Sequence, residues 1–432
     1  MGIVKNFIFY CTVILAIIQV FWVFVCYFHW NRLLTPILTV NNVDNLTEHR
    51  TFLPQAVKPE QASKLILAYT TVYGKSFSIN RFRKPWEIQA FPDPFEQCTY
   101  KCEWTIDPSD YNRSDAVIFH LYNMSPDFLG HGYREFVLKD LPRRIHTEQK
   151  WVLMVREPSA FYYPNQLKLL NNLFNLSMSY VLDADVFIPY GGFRKLSPDF
   201  PKAVNIANLN KEAGGKLWRG PITRRSKQIA WLVSNCITSS RREEFVEELQ
   251  KYIDVDIYGG CSVKKNMPIF SKKDRKLLGK RYVFYLALEN SDCDDYITEK
   301  FWISLIEGMI PIVKGRRVDY KKFAPDNSYI HADDFESVSH LASHLKTVFS
   351  DSKLLSSYHQ WRSSYVVELR LLSSNKLWMC DLCQQVHESE RKTIDVYEQF
   401  SEDTRCYTFD RKRNRTGEHM EDILHYEPLP RE

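Results

Sequence analysis

The chain has 432 residues, 44% hydrophobic and 25% charged, with Lys+Arg 57 against Asp+Glu 52 and a formal net charge of +5. That composition excludes wholesale disorder and allows roughly two to three domains of ordinary size. The mild charge, without a basic arm, zinc-finger spacing or RNP aromatic motif, argues against a nucleic-acid binder. With Gly at only 15, glycine-repeat architectures are excluded as well.

The first element is the apolar run Phe7 to Phe28, FIFYCTVILAIIQVFWVFVCYF, with Gln19 as its main polar interruption. At about 1.5 Å per residue it can span a hydrocarbon core of about 30 Å. It lacks the short apolar region and small-residue cleavage site of a cleaved signal peptide. No second run of comparable length follows. The expected topology is a single-pass anchor, 7–28, with a short tail, 1–6, on one side and the body on the other. The flanking charges, Lys5 and Arg32, barely set its orientation. The start MGIVKN lacks the Ser or Thr at position six that myristoylation needs. Sequons begin at Asn45, Asn112, Asn123, Asn175 and Asn414. Beyond the anchor the cysteines are Cys98, Cys102, Cys236, Cys261, Cys293, Cys380, Cys383 and Cys406. Both features suit a lumenal, oxidising compartment. Cys98/Cys102 and Cys380/Cys383 could make a four-thiolate zinc site. An oxidising lumen favours disulfides instead.

Residues 29–63 are polar, contain Pro36, Pro54 and Pro59, and read as a stem. From Lys64 the pattern becomes α/β. LILAYTTVYG, DAVIFHLYN and KWVLMVREP read as buried strands of a mostly parallel sheet. A second set begins with KQIAWLVSN at Lys227. Ser239 to Ile253 reads as a helix with Phe245, Val246, Leu249 and Tyr252 on one face. VDIYG and YVFYLALEN read as strands, ITEKFWISLIEGM as a helix ending near Gly308, and IPIVKG as a further strand. Strands alternating with helices imply two doubly wound α/β domains, 64–222 and 223–386, with a junction near 195–226. Ligands of such folds sit beyond the carboxyl ends of the strands, here in the interdomain cleft. The charged remainder, 387–432, with RKRNR at 411–415, reads as a peripheral extension.

The densest chemistry lies between Tyr282 and Gly315: YVFYLALENSDCDDYITEKFWISLIEGMIPIVKG. Its loop and helix start concentrate Glu289, Asn290, Ser291, Tyr296, Thr298, Glu299 and Lys300. Thr298 or Asp295 can cap the helix. The helix N-terminus then offers N–H groups and a positive dipole to a phosphate, and Lys300 adds a full charge. On spacing alone, a surface lysine paired with Glu299 or Asp295 carries equal weight.

This stretch resembles the donor-binding signature of the α1,3-fucosyltransferase family. The likeness continues through Tyr320 and FAPDNSYIHADDF, 323–335, and covers most of 64–385. It implies two facing Rossmann-like domains of the GT-B type behind the single N-terminal transmembrane helix, with the acceptor side in the first domain and the GDP-fucose site in the second. It implies an inverting transfer of L-fucose from GDP-β-L-fucose to a GlcNAc 3-hydroxyl. Carried over by position, Tyr285, Asn290, Tyr296, Glu299 and Lys300 bind the donor. In AWLVSNCITSSRR, Ser234 and Asn235 touch the diphosphate or ribose, and Arg242 binds phosphate. In FNLSMSYVLDADVFIPYGG, Tyr190 approaches the donor. EQKWVLMVREPSA aligns Glu157 with the catalytic base, although Pro158-Ser159 stands where many members have Ser-Pro. Without the resemblance, Glu157 reads as a solvated loop charge and Arg242 as a solvated helix charge.

Asp183-Ala184-Asp185 has the form of a cation-binding DxD, but the resemblance places it at a structural turn. His340 and His344, four apart on a helix, lack an evident third ligand. No metal is expected in the site and no cofactor beyond the donor substrate; the sequence does not set whether divalent cations stimulate turnover. SNC at 234–236, YGGC at 258–261 and ENSDC at 289–293 resemble invertebrate and plant members that fucosylate the N-glycan core. Cys261 and Cys293 both follow strands and could pair. The Cys98/Cys102 and Cys380/Cys383 sets resemble cysteines that tie the two ends of the catalytic region together. The expected partners are GDP-fucose, a glycoprotein N-glycan and the Golgi membrane, with no nucleic acid. An outer N-acetyllactosamine-type acceptor, and a non-catalytic glycan binder on the same scaffold, are the alternatives.

Overall fold

Short runs of Val, Ile, Leu and Met between 64 and 187 build one sheet. Its strands are β1 (Lys64–Ala68), β2 (Cys102–Thr105), β3 (Ala116–His120), β4 (Lys150–Val155), β5 (Leu176–Ser179) and β6 (Val186–Phe187). They lie in the order β2-β1-β3-β4-β5-β6, and every pairing is parallel. The computed structural model describes residues 62–73, 95, 98–124, 141–162, 164–196, 225–262, 275–369 and 377–407. All of them fall in one compact unit, Asn45–Leu196 with Lys202–Glu432. The apolar run 7–28, the stem and the 411–415 basic stretch lie outside the described residues, as do Asn45 and Asn414. Among the described residues no helix is long and apolar enough to cross a membrane.

After β7 (Gly191–Lys195), a second sheet is built by β8 (Lys227–Leu232), β9 (Val255–Tyr258), β10 (Tyr282–Leu286), β12 (Ile310–Val313) and β13 (Ile330–His331). Its order is β13-β12-β10-β8-β9, again parallel throughout. Two small antiparallel pairs complete the strands: β11 (Asp292–Cys293) with β15 (Cys406–Tyr407), and β7 with β14 (Tyr365–Leu369). Taken by chain order within each sheet, the second carries the 2-1-3-4-5 arrangement of a doubly wound sheet and the first the same order with a sixth strand added, 2-1-3-4-5-6. The first switch point falls between β1 and β3, the second between β8 and β10.

Both sheets are covered on both faces, which is why their strands read as continuous apolar runs. The helices are α1 (Pro164–Leu169), α2 (Arg242–Leu249), α3 (Arg275–Arg281), α4 (Glu299–Ile306), α5 (Val338–Ser350), α6 (Ser352–Ser357), α7 (Leu377–Glu388), α8 (Val396–Phe400) and α9 (Glu402–Arg405). Phe245, Val246 and Leu249 of α2 and Leu341 and Leu345 of α5 pack on Ile229, Phe284 and Ile312. The helix expected over Ser239–Ile253 is shorter. Its N-terminal part is a loop fixed to other backbone, and Tyr252, beyond its end, is 41% exposed rather than buried. Helix α4 ends where Gly308 suggests. Gly308, at φ +77, donates to Leu305, and Met309 donates to Ser304, the paired bonds of a Schellman cap.

The segment from 377 does not stay with the second sheet. Helix α7 buries Trp378, Met379, Leu382 and Val386 against Ile66, Ile118 and Met154 of the first sheet. Ile394, Val396 and Phe400 are buried too, so the described part of the expected peripheral extension is anchored in the core through these side chains. Disulfides Cys98–Cys380 and Cys102–Cys383 fix this return, spanning 282 and 281 residues. Because both close nearly the same loop, either bridge alone retains most of the chain restriction. Removing one pair as Cys→Ser should cost little in an unfolding experiment. Removing both should cost about 5–6 kcal/mol by loop-closure entropy, a non-additive result that denaturant titration of the three variants checks.

Candidate active site

The two switch points place the chemistry. In the first sheet β1 runs out to Tyr73, β3 to Asn123 and β4 to Arg156 and Glu157. In the second, β8 runs out to Ser234 and Asn235, and β10 to Glu289 and Asn290.

In the second half the central group is a residue that the sequence placed only in the crowd. Glu289 is buried, and its carboxylate accepts from the Thr298 N–H and hydroxyl, each at 2.8 Å, and from Lys300 Nζ at 2.7 Å. Neither expected cap forms. Thr298 holds the N-cap position of α4 without a side-chain cap bond. The Asp295 carboxylate turns away to accept from the Leu182 N–H at 2.9 Å. Glu289 therefore occupies the anion seat at the head of α4. Lys300 pairs with Glu289, not with Glu299 or Asp295, and keeps 21% side-chain exposure. Two of its three N–H donors go to Glu289 and to the Thr298 hydroxyl, 2.7 Å away. One remains for a ligand.

Arg242 is 5% exposed at the start of α2. Its guanidinium donates to the Leu288 carbonyl at 2.7 Å and the Asn235 carbonyl at 3.2 Å, joining the two switch-point loops. Its Nε and the Asn290 Oδ1 are both buried without a partner. Burial holds the Arg242 pKa below its ordinary value, against the pull of Glu289. Ser240 strengthens the same junction, donating through its hydroxyl to the Glu289 carbonyl at 2.7 Å. Ser234 and Asn235 are exposed beside it. Tyr285 is different: it is buried in mid-strand, in register with Ala230 and Pro311, and lies beneath the site rather than on its surface.

The pairing of Cys261 with Cys293 does not form. The strand order separates their exits, since β9 neighbours β8 and not β10. Cys261 is joined to Cys236, which follows β8, and Cys293 to Cys406 across β11 and β15.

In the first half, Arg156 and Tyr190 lock each other. The Arg156 guanidinium lies 3.9 Å from the Tyr190 ring centroid, and the Tyr190 hydroxyl donates to the Arg156 carbonyl. Tyr190 thus offers a ring and not a free hydroxyl. Tyr180 and Tyr296 carry the contact into the second half, with centroids 5.0 Å apart, and Tyr296 meets Tyr190 edge-on at 6.2 Å. Glu157 stands at this seam. Burial raises its pKa; the Tyr73 hydroxyl, Lys300 and Arg156 work against the rise, and Glu299 adds to it. Glu157, Tyr190, Tyr296, Glu299 and Lys300 are therefore one electrostatic neighbourhood. Sequence reasoning missed Tyr73, Arg156 and Tyr180. The available signal was position: Arg156 and Tyr180 directly follow β4 and β5, and Tyr73 lies on the chain leaving β1.

Other candidates fall away. Asn175 is 8% exposed; its Oδ1 accepts from the Trp151 N–H and from Arg144, and its Nδ2 donates to the Lys392 carbonyl, all at 2.8 Å. A glycan attaches at Nδ2, which is buried here against the Lys392 carbonyl, so the sequon is structural. Asn112 is exposed and Asn123 half-buried. Asp185 accepts from Ser177 and Lys392, and Asp183 from Arg405, so both carboxylates of the DxD are engaged in structural pairs. His340 pairs with Glu336, and His344 bonds the Tyr358 hydroxyl at 2.8 Å. Cys102 and Cys383, close to His387, are consumed by their disulfide.

Two family descriptions match the chain, "Fucosyltransferase, N-terminal" over residues 61–191 and "Glycosyltransferase family 10 (fucosyltransferase) C-term" over residues 222–402. The chain belongs to glycosyltransferase family 10, the fucosyltransferases. It is 33% identical over 345 residues to alpha-(1,3)-fucosyltransferase C of Drosophila melanogaster, covering 76% of this chain and 74% of that one. It is 40% identical over 312 residues to glycoprotein 3-alpha-L-fucosyltransferase A of the same organism, covering 71% and 55%. A human 4-galactosyl-N-acetylglucosaminide 3-alpha-L-fucosyltransferase is 32% identical over 342 residues, covering 77% and 81%. Among solved structures, an alpha1,3-fucosyltransferase with GDP matches at TM-score 0.44 and 15% identity, covering 82% of this chain and 97% of that one.

The position of Glu157 in this fucosyltransferase yields a test that needs no substrate. A carboxyl whose pKa is raised on folding weakens the native state above that pKa, and the penalty fades as pH falls through it. Glu157→Gln removes the charge and keeps the shape. At neutral pH its thermal midpoint should equal or exceed that of the wild type; a clear drop would show that the charge is needed for folding.

Proposed function

We propose that this fucosyltransferase moves L-fucose from GDP-β-L-fucose in α1,3 linkage to a GlcNAc of a glycoprotein N-glycan, the core GlcNAc foremost. The observation that carries the reading is the electrostatic coupling of Glu157, just beyond β4 of the first sheet, to Lys300 and Glu299 at the head of α4 in the second half. In this reading the two sheets are the facing Rossmann-like domains of a GT-B enzyme. Glu157 takes the proton of the acceptor 3-hydroxyl as that oxygen attacks the anomeric carbon. The bond from that carbon to the β-phosphate oxygen breaks, and the configuration inverts. Lys300, through its remaining N–H, and Arg242, through its Nε, take up negative charge developing on the departing GDP. Glu299 accepts from fucose hydroxyls, and the Asn290 amide faces the donor.

The acceptor assignment is supported by the 40% identity to a glycoprotein 3-alpha-L-fucosyltransferase and by Cys236 and Cys261, whose SNC and YGGC settings suggested that branch. The apolar run 7–28 supports a single-pass Golgi anchor with the body lumenal.

Three measurements test the reading. With GDP-fucose and defined N-glycans, Glu157→Gln should bind GDP normally and lose about 10²–10⁴ in turnover. Wild-type transfer by that variant moves the base elsewhere. Lys300→Ala should weaken donor use about ten- to a hundred-fold, the loss of a charge-assisted contact. The base must be ionised to act, and burial raises its pKa, so the acid limb of kcat/KM should lie above the ordinary carboxylate range. Linkage analysis of the product separates core from antennal GlcNAc.

A further inference from the structure

The loop that leaves β8 has little to hold it to the core. Ser234, Asn235, Cys236 and Ile237 are all exposed, and Ile237, at 87%, is the most exposed large apolar side chain among the described residues. Yet this span carries the Asn235 carbonyl, which accepts from the Arg242 guanidinium at 3.2 Å. The far end of the span is pinned. Thr238 donates from its N–H and its hydroxyl to the Glu243 carboxylate, at 2.8 and 2.9 Å. Ser239 and Ser240 donate from their hydroxyls to the Asn290 and Glu289 carbonyls, at 3.2 and 2.7 Å. The near end is pinned to the exit of β9. The Val233 N–H donates to the Tyr258 carbonyl at 2.9 Å, and the Cys261 N–H to the Val233 carbonyl at 3.3 Å. A Cβ on Gly259, at φ +93, would lie 2.4 Å from that same carbonyl oxygen, so the two backbones touch there. Past Val233 the Cys236–Cys261 disulfide takes over, on the residue next to Asn235. A span that buries no side chain draws its order from such ties at its ends.

We propose that the Cys236–Cys261 bridge is a positioning element of the donor site: it fixes the exposed span so that the Asn235 carbonyl holds the Arg242 guanidinium in its donor-binding orientation. The inference rests on the reading of Arg242 as a phosphate contact. Two carbonyls hold that guanidinium, Leu288 from the β10 side and Asn235 from the β8 side. Leu288 is 1% exposed, so its carbonyl is fixed by packing. Asn235 is exposed, so its carbonyl is fixed through its neighbours in the chain. A guanidinium held by one bond can turn about it; a second bond sets the plane of the fork. With the bridge open, the β8 side of this clamp loosens. Ordering it again when the donor binds costs conformational entropy that the closed bridge has already removed.

The experiment uses the whole protein with GDP, GDP-fucose and its best N-glycan acceptor. Cys236→Ser combined with Cys261→Ser should weaken GDP binding and raise the KM for GDP-fucose about ten-fold, with the KM for the acceptor unchanged. Arg242→Lys should weaken GDP binding in the bridged protein and add little in the bridgeless one, because both changes act on one contact. The wild type offers a second route, which serves also where the double variant fails to fold. Cys236 is exposed, whereas each of the other three bridges includes a buried cysteine, so mild reduction by a phosphine should open this bridge first. Alkylation and mass spectrometry identify the thiols formed. GDP affinity should fall as this bridge opens and return on reoxidation. Wild-type GDP affinity in the bridgeless or reduced protein, whatever its melt, makes the bridge a stabilising link alone and overturns the proposal. Equal losses for donor and acceptor, or strictly additive effects of Arg242→Lys, overturn it too. If Arg242→Lys binds GDP like the wild type while the bridge is intact, the phosphate contact lies elsewhere and the reading of Arg242 falls first.

Discussion

One buried carboxylate organises the second half of the site. Glu289 sits on the head of α4, where it satisfies the Thr298 N–H and hydroxyl and holds Lys300. A charge buried alone would cost several kcal/mol; three donors and the positive end of a helix offset that cost. The tail of the same helix is held by the opposite sign. Arg225 donates to the carbonyls of Glu307 and Gly308, and Arg362 to that of Leu305. Both guanidiniums are buried, and burial depresses their pKa values. No carboxylate meets either in a salt bridge among the described residues. The helix carbonyls serve instead, as expected where a macrodipole ends. Fixed at both ends, α4 fixes the direction of Glu299 and Lys300. Gly191 shows how tightly it is seated: a Cβ there would lie 2.3 Å from the Trp302 ring.

The first half is tied to this frame by short contacts at several depths. Tyr180 and Tyr190 pack on Tyr296, and Asp295 accepts from Leu182. Further out, Arg405 joins Asp183 of the first half to Asp294 of the second. The Cys293–Cys406 bridge anchors the segment that carries this arginine. Glu157, half-buried at this seam, loses part of its hydration, and that desolvation raises its pKa. A base poised nearer the working pH removes a proton more readily than an ordinary surface carboxylate. On the proposed role of Glu157 as base, packing between the halves and its reactivity are one property.

The parts of this arrangement that lie along a single stretch of chain were legible beforehand. The strands, the helix ending at Gly308 and the signature around Lys300 could be read because their cues are local: period, cap and motif. The partners of those residues were not. Lys300 reads as a neighbour of Glu299 and Asp295, four or five positions at most away, but its bond goes to Glu289, brought back by a turn. Cys261 could be matched with Cys293 only while the strand order was unknown. The order β10-β8-β9 puts Cys236 beside it instead. Tail residues beyond 386 look peripheral by charge, although Val396 and Phe400 of α8 are buried in the core. Asn175 carries a valid sequon because the triplet says nothing about burial.

The seat taken by Glu289 changes how a diphosphate can be held. A helix N-terminus offers its free N–H groups once, and here one is already given to a carboxylate. Negative charge on the donor must therefore be met by side chains. Lys300 and Arg242 both lie in the field of Glu289, which tempers their positive charge. Arg242 is already oriented by the Leu288 and Asn235 carbonyls, with its Nε buried and unsatisfied. The unsatisfied Asn290 Oδ1 nearby in the chain is an acceptor awaiting a hydroxyl. Each such atom costs about 1–3 kcal/mol when left without a partner. A ligand that supplies both partners recovers that cost on binding.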